Sequence, residues 1–265
     1  MARLLQTRLK LLHVIKLPSD DEGLPPDTRY ARMMRTSALL ELGRLARLAK
    51  DAGVEAEPVV DFSVPDDCIL RHLRQEPVKL LVMGTEGRTG WDRLRLGSTA
   101  LTLVRRANCP VLAVHGGVAG DVVRQTARVK LNRIVVGTDF SSCAQQAQRV
   151  ASRLAELAGA TVLVVHAHSM EDDGQHGQKR VDRIVQALQR RGFQAEGLCR
   201  PGSPVETIVE EAGRWEADIV VVGTQGRRGL PRLMLGSVAE GVLRRAGCPV
   251  LVVRSAEMLL NDDDR

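Results

Sequence analysis

The sequence predicts an α/β protein of two tandem domains, each a parallel sheet covered by helices on both faces. Three observations carry that prediction. Strand-like and helix-like segments alternate along the chain, which is the pattern of parallel strands joined by crossover helices. The strand-like segments, such as "RIVVG" (133–137) and "DIVVVG" (218–223), are continuous apolar runs, as expected of strands buried on both faces. Finally, "GTEGRTGWDRLRLGST" at 84–99 returns as "GTQGRRGLPRLMLGSV" at 223–238. It lies inside a stretch of 31 positions, 84–114 against 223–253, of which 19 are identical. That degree of self-similarity marks an internal repeat, and 265 residues suffice for two domains with cores of their own.

The second half reads in order. "NRIVVGTDFSS" (132–142) is a buried strand and a turn, and "CAQQAQRVASRLAELAGA" (143–160) has helical apolar spacing and ends at Gly159. "TVLVVHAH" (161–168) is a second strand, "MEDDGQHGQ" a polar loop, and "KRVDRIVQALQRRG" (179–192) a helix closed by Gly192. "FQAEGLCRPG" (193–202) is a third strand. "SPVETIVEEAGRW" (203–215) is a helix with Ser203 as N-cap, Pro204 in its first turn and Glu206 completing a capping box. "ADIVVVGTQG" is a fourth strand, "SVAEGVLRRAG" a helix and "CPVLVVR" a fifth strand; the acidic end "NDDDR" is expected to fray.

The first half repeats this order with its beginning missing. "LKLLHVI" (9–15) matches the second strand, His13 aligning with His166, and "MARLLQTR" can supply only the tail of the preceding helix. Nothing corresponds to residues 132–153. Fourteen more residues separate His13 from Gly84 than separate His166 from Gly223, assigned to the loop "KLPSDDEGLPPDTRY". The linker falls in the glycine-bearing stretch "HGGVAGDVVRQTARVK", giving domains at 1–120 and 130–258. Lacking its first strand, the first half would leave its second and fourth strands without their shared neighbour. Three explanations fit: the chain as given starts late, the two strands pair directly, or another chain supplies the strand. The late start is the expected one.

Composition excludes some functions. The net charge of +6 is mild and spread over both halves, without the basic stripe or aromatic interleaving of a nucleic-acid surface. Aromatics make up 2% of the chain, so the core must be aliphatic. The five cysteines form no CxxC and no paired framework, consistent with a reducing, cytoplasmic setting. Cys109 and Cys248 occupy equivalent positions and read as buried small residues. Cys143 begins a helix and is a candidate redox-sensitive thiol, with a plain helical residue the stronger reading. His166 and His168 share a strand face without a third ligand, and Met33 and Met34 read as core. No secretory signal is recognisable and no apolar run is long enough to span a membrane.

The doubled loop carries the chemistry. Each copy leaves a strand at a glycine (Gly84 or Gly223), has a second glycine three positions later (Gly87 or Gly226), and enters a helix at Gly97–Ser98 or Gly236–Ser237. Glycines admit close approach of backbone N–H groups, and a helix N-terminus adds unpaired donors and partial positive charge. Arg88 and Arg93, or Arg227, Arg228 and Arg232, stand nearby. From the residues alone two readings stay open: a phosphate cradle, or glycines serving tight turns. The GK[ST] of a Walker loop and the GxGxxG of a dinucleotide fingerprint are both absent.

The pattern G-x2-G-x9-G-[ST], with "IVVGTDFS" and "VLVVHA" upstream, resembles the universal stress protein family over nearly the whole chain. The resemblance implies a flavodoxin-like or Rossmann-like sheet of order 3-2-1-4-5 in each half, the first half lacking its first strand. It also implies an adenine-nucleotide site, for ATP with or without Mg. Carried over position by position, Thr138 and Asp139 would sit at the adenosine end and Ala167 would pair its main chain with adenine. Gly223, Gly226, Arg227, Gly236, Ser237 and Val238 would hold ribose and phosphates. The first half retains Gly84, Gly87, Gly97, Ser98 and Thr99, with Val14 facing adenine, but has no counterpart of Asp139, so one nucleotide per chain is expected. The implied protein is a regulatory nucleotide binder in stress response and not an enzyme. The alternatives are a slow ATPase or nucleotidyl transferase, and a non-binding scaffold. A pseudo-dimer of the two halves through their last strands, 110–115 and 249–254, and a homodimer are expected; nucleic acid and membrane partners are not.

Overall fold

The structure is a computed structural model that describes residues 1–16, 28–85, 96–115, 130–224 and 235–254. The candidate positions Gly87, Gly226 and Arg227, the linker, most of the 16–30 loop and the acidic end lie outside these residues. The described chain forms two compact units, Met1–Gln75 and Glu76–Arg265.

The first unit holds β1 (Leu9–Ile15), α1 (Arg29–Asp51), β2 (Ala56–Phe62) and α2 (Pro65–Gln75). β1 and β2 pair in parallel from Leu9↔Ala56 to Ile15↔Phe62. Helix α1 starts where the Thr28 hydroxyl accepts the Ala31 N–H at 3.1 Å, an N-cap. Its apolar face brings Met34, Ala38, Leu42 and Leu45 against Ile15, Val60 and Phe62. Met34 thus packs as the sequence suggests, whereas Met33 points into solvent, because adjacent helical positions lie about 100° apart. Residues 2–6 form turns in place of a helix tail.

The second unit contains β3 (Leu81–Gly84), α3 (Ser98–Arg106), β4 (Val111–Val114), β5 (Arg133–Gly137), α4 (Ser142–Ala158), β6 (Thr161–His168), α5 (Gln175–Arg190), β7 (Ala195–Pro201), α6 (Pro204–Arg214), β8 (Ile219–Gly223), α7 (Ser237–Arg245) and β9 (Val250–Val253). Its strands lie in the order β3-β4-β9-β8-β5-β6-β7. Within the second repeat this is the order 3-2-1-4-5, all parallel, with β5 at the centre. Ile134, Val135, Val136, Val164, Val220 and Val221 exclude water almost completely, so the core is aliphatic. Helix α4 begins at the Ser141 N-cap and ends at Gly159, whose φ of +69° is the left-handed conformation glycine adopts without strain.

The first repeat is divided between the units. Its β1 and β2 form a two-stranded sheet, while β3 and β4 extend the sheet of the second repeat. Among the described residues the hydrogen-bonded neighbour of β1 is β2 and that of β3 is β4.

The two last strands meet as the sequence suggests. β4 and β9 run antiparallel with Leu112 opposite Leu251. The contact is reciprocal across the repeats. His115, just after β4, donates its Nε2–H to the Leu243 carbonyl of α7 at 2.9 Å. Arg254, its equivalent 139 residues on, donates to the Arg105 carbonyl of α3. Glu240 lies between Arg105 at 3.4 Å and Arg244 at 2.8 Å, themselves equivalent positions. A valine-rich edge is thereby paired and covered within one chain.

One local expectation differs. Ser203 is the N-cap of α6, but its side chain makes no capping hydrogen bond, and Glu206 lies 3.6 Å from Arg245. Pro204 stands in the first turn of this terminus, which has no capping bond from the Ser203 side chain. Cys109 is buried and Cys248 partly so, and burial pushes both thiols up to about 11, as suits inert packing residues.

Candidate functional site

The chain leaves β5 toward β6 and leaves β8 toward β9, on opposite sides, and the crevice beyond the carboxyl ends of strands that diverge in this way is where open α/β sheets take ligands. β5 ends at Gly137 opposite Val165 of β6. β8 runs beside β5 with Val136 opposite Val221 and ends at Gly223. Thr138 and Asp139 therefore emerge at the same edge as Gly223 and Thr224.

The turn after β5 is tightly determined. Thr138 donates its N–H to the Val165 carbonyl at 2.9 Å. Its buried hydroxyl oxygen accepts from the Phe140 N–H at 3.0 Å and from Gln148 Nε2 at 2.8 Å. Asp139 Oδ1 accepts the Ser141 N–H at 3.0 Å, an Asx turn. Between them Phe140 is held at φ +65°, a conformation that costs a non-glycine residue of order 1 kcal/mol or more and persists only where neighbours enforce it. The enforcing contacts are visible. The Phe140 ring lies 4.4 Å from that of His166, with the Arg180 guanidinium 4.0 Å above it. His166 reaches the Thr138 carbonyl with Nδ1 at 2.8 Å; a carbonyl only accepts, so Nδ1 carries the proton. His166 is thus a structural strut of this turn. His168 turns its Nδ1 to the Ser169 carbonyl at 2.9 Å.

The register of β6 places Ala167 informatively. Thr161 and Val165 bond toward β5, through Thr161 N–H to the Asn132 carbonyl and the Val165 carbonyl from Thr138. Val162 and His168 bond toward β7, through Val162 N–H to the Gln194 carbonyl and the His168 carbonyl from Gly202. Alternation along a strand then turns the N–H and C=O of Ala167 to the β5 side, past Gly137, where β5 has ended. A donor and an acceptor stand two bonds apart at the floor of the crevice, beside Asp139.

The other wall is the start of α7. Gly236 is its N-cap and offers no side-chain cap, and the Gly236 N–H bonds the Thr224 carbonyl at 2.7 Å. The following N–H groups, from Ser237 and Val238, have no acceptor within the helix. The first repeat builds the same terminus: the Gly97 N–H meets the Thr85 carbonyl at 3.0 Å and α3 follows at Ser98, Thr99. It has no described counterpart of the β5 turn, and Val14 and Gly84 fall in different compact units.

Gly223 has a reason the sequence did not disclose. A Cβ there would come within 2.8 Å of the Cys143 main-chain carbon and 3.1 Å of the Ala144 N. The glycine lets the first turn of α4 close onto β8, and Cys143 contributes its backbone to that contact. An open depression of about 620 Å³ lies beside the crevice at the ends of β6 and β7, lined by His168, Asp172, Gly174, Lys179 and Cys199 among others; it does not include the β5 turn or the α7 terminus.

Fold and strand order together define a doubly wound α/β protein. The profile of the Universal stress protein family matches residues 1–115 and 130–254, and the chain belongs to that family. It is 34% identical over 230 residues to universal stress protein Rv2005c of Mycobacterium tuberculosis, covering 79% of this chain and 74% of that one. It is 29% identical over 163 residues to universal stress protein MJ0531 of Methanocaldococcus jannaschii, 54% of this chain and 94% of the other. A universal stress protein from Archaeoglobus fulgidus superposes with a TM-score of 0.76 at 21% identity, covering 96% of this chain and 90% of that chain, which establishes the fold. Among the described residues no helix is long and apolar enough to cross a membrane.

Proposed function

We propose that the second repeat binds one adenine nucleotide, ATP or a close relative, and that the protein acts as a cytoplasmic regulatory switch and not as a catalyst. The observation that carries this reading is the main-chain edge of Ala167, an N–H and a C=O aimed past the end of β5. A purine edge presents a matching acceptor and donor. Asp139 beside it suits a ribose hydroxyl, and the uncapped start of α7 suits phosphate oxygens through N–H donors and the helix dipole. Gly226 and Arg227 would complete the phosphate end, with any Mg2+ arriving on the triphosphate. Among the described residues of this constellation none positions a nucleophile at a γ-phosphate, which a phosphoryl-transfer enzyme requires.

The test is calorimetric titration of the full chain with ATP, with hydrolysis followed over hours. One nucleotide per chain is expected, weakened at least tenfold in Asp139→Ala and abolished in Gly226→Asp, which sets a negative charge against the phosphates. Binding in Gly226→Asp equal to the parent's would overturn the site. Steady hydrolysis abolished by the same change would favour an enzyme, and no binding by the parent would favour a scaffold.

A further inference from the structure

The first repeat holds a constellation that the second repeat lacks. Asp61 lies near the end of β2, and Cys68 and His72 stand one helical turn apart on α2, so both side chains leave the same face of the helix. That face is turned to Asp61. Cys68 Sγ is 3.2 Å from Asp61 Oδ2, and His72 Nε2 is 3.4 Å from the same oxygen. The three donor atoms lie within 4.8 Å of one another. Cys68 is fully buried. His72 Nε2 is buried and has no hydrogen-bond partner; its approach to Asp61 is close but not aligned. Such an orphaned atom needs an explanation.

We propose that Asp61, Cys68 and His72 form a binding site for one zinc ion, with a fourth position open to water. The geometry fits. Tetrahedral zinc with bonds of about 2.0 Å to oxygen and nitrogen and about 2.3 Å to sulfur requires ligand atoms about 3.3 to 3.5 Å apart, close to the two separations above. The donor set fits too, since a thiolate and an imidazole select zinc over the hard cations that prefer all-oxygen shells. On binding, the Cys68 thiol gives up its proton to solvent as the sulfur–zinc bond forms, and the thiolate and carboxylate charges neutralise the dication. Without metal the thiol has little tendency to ionise, since burial and the Asp61 carboxylate push it up to about 11. Arg71 now neutralises the carboxylate, with Nη2 2.6 Å from Oδ2. Its side chain is 46% exposed, so it can leave for solvent when a dication takes its role.

The second repeat supplies the comparison. At the positions 139 residues on, Arg200, Thr207, Glu210 and Glu211 replace Asp61, Cys68, Arg71 and His72. There Arg200 pairs with Glu210 at 2.6 Å and with Glu211. Both repeats thus clasp their third strand to the following helix through this spot, one with a cation at the centre and one with an anion. Inverting an ion pair requires only Asp61 and Arg71. It does not require a buried thiol and an imidazole converging on the same oxygen.

The experiment uses the full chain, stripped with a chelator, exposed to zinc, desalted and assayed for metal. One equivalent per chain is expected. Cobalt in its place should give the near-ultraviolet absorption of a thiolate–cobalt bond, lost in Cys68→Ser and weakened at least tenfold in affinity by His72→Gln and Asp61→Asn. Arg71→Ala should retain the metal. X-ray absorption on the unmutated zinc protein, which needs no variant to fold, should show one sulfur and two or three nitrogen or oxygen neighbours. Failure of the parent to retain zinc, a cobalt band unchanged in Cys68→Ser, a shell without sulfur, or loss of metal in Arg71→Ala would each overturn the assignment.

Discussion

β3 and β8 are nearly the same strand in sequence, "LVMG" and "VVVG" before the same GT, yet they live in different surroundings. β8 lies between β5 and β9 and is buried up to Gly223, while β3 ends the sheet and alternates partly buried with exposed residues. Val82 is 49% exposed and its equivalent Val221 is not exposed at all. The likeness lies in the residues and the difference in the neighbour, for among the described residues only the second repeat has a central strand. Apolar content makes a strand able to be buried; a partner on each side and a helix on each face decide whether it is.

The sharpest way to break this comparison is a charge at the two equivalent positions. Val221→Asp should cost about 4 kcal/mol or more, enough to leave little folded protein, because an ionised carboxylate would be sealed among valines. Val82→Asp should stay within about 1 kcal/mol. Urea unfolding followed by far-ultraviolet circular dichroism distinguishes the two. Equal losses would mean that the edge position of β3 does not hold in solution.

The second test concerns the motif glycine. Gly223→Ala should destabilise the nucleotide-free protein by about 2 kcal/mol, the scale of overpacking a tight contact, because its Cβ would strike the α4 backbone. Gly84 is exposed, and Gly84→Ala should be close to neutral. If Gly223→Ala leaves the unfolding midpoint unchanged and alters only nucleotide titration, the glycine serves the ligand and not the helix.

These residues also show what could be read in advance. The order of strands and helices was legible because aliphatic runs and amphipathic periods are local, and the pairing of β4 with β9 was legible because two valine-rich edges need covering. The family's motif positions could be named one by one, and register then gave a physical reason for Ala167. What was not legible depends on distant parts meeting. Nothing in "GTQG" says that the first turn of α4 lies against Gly223. The Ser203 capping box does not form, and Glu206 lies instead near Arg245, 39 positions on. Asp61, Cys68 and His72 converge only after α2 folds back over β2, although C-x3-H on one helical face was a signal that could have been noticed.

The smallest effect tests the seam between repeats. Glu240 accepts from Arg244 at 2.8 Å and from Arg105 at 3.4 Å, one arginine from each repeat at equivalent positions. The Arg244 hydrogen bond is the main reason its carboxyl is held below the ordinary value of 4.5, partial desolvation opposing and the charges of both arginines assisting. A lowered carboxyl contributes stability that is present above 4.5 and lost as pH falls through the depressed value. With 27% of the side chain exposed, solvent and salt screen the pair, and Glu240→Gln should cost less than about 1 kcal/mol at neutral pH. That cost should shrink in high salt and vanish below the depressed pKa, where the parent is itself protonated. Arg105→Ala should lower the benefit of Glu240 further than additivity allows, because the carboxylate then answers to one repeat alone. A double-mutant cycle across pH measures the coupling. If Glu240 and Arg105 prove independent at neutral pH, the antiparallel strands β4 and β9 hold the repeats together without this cross-repeat ion pair.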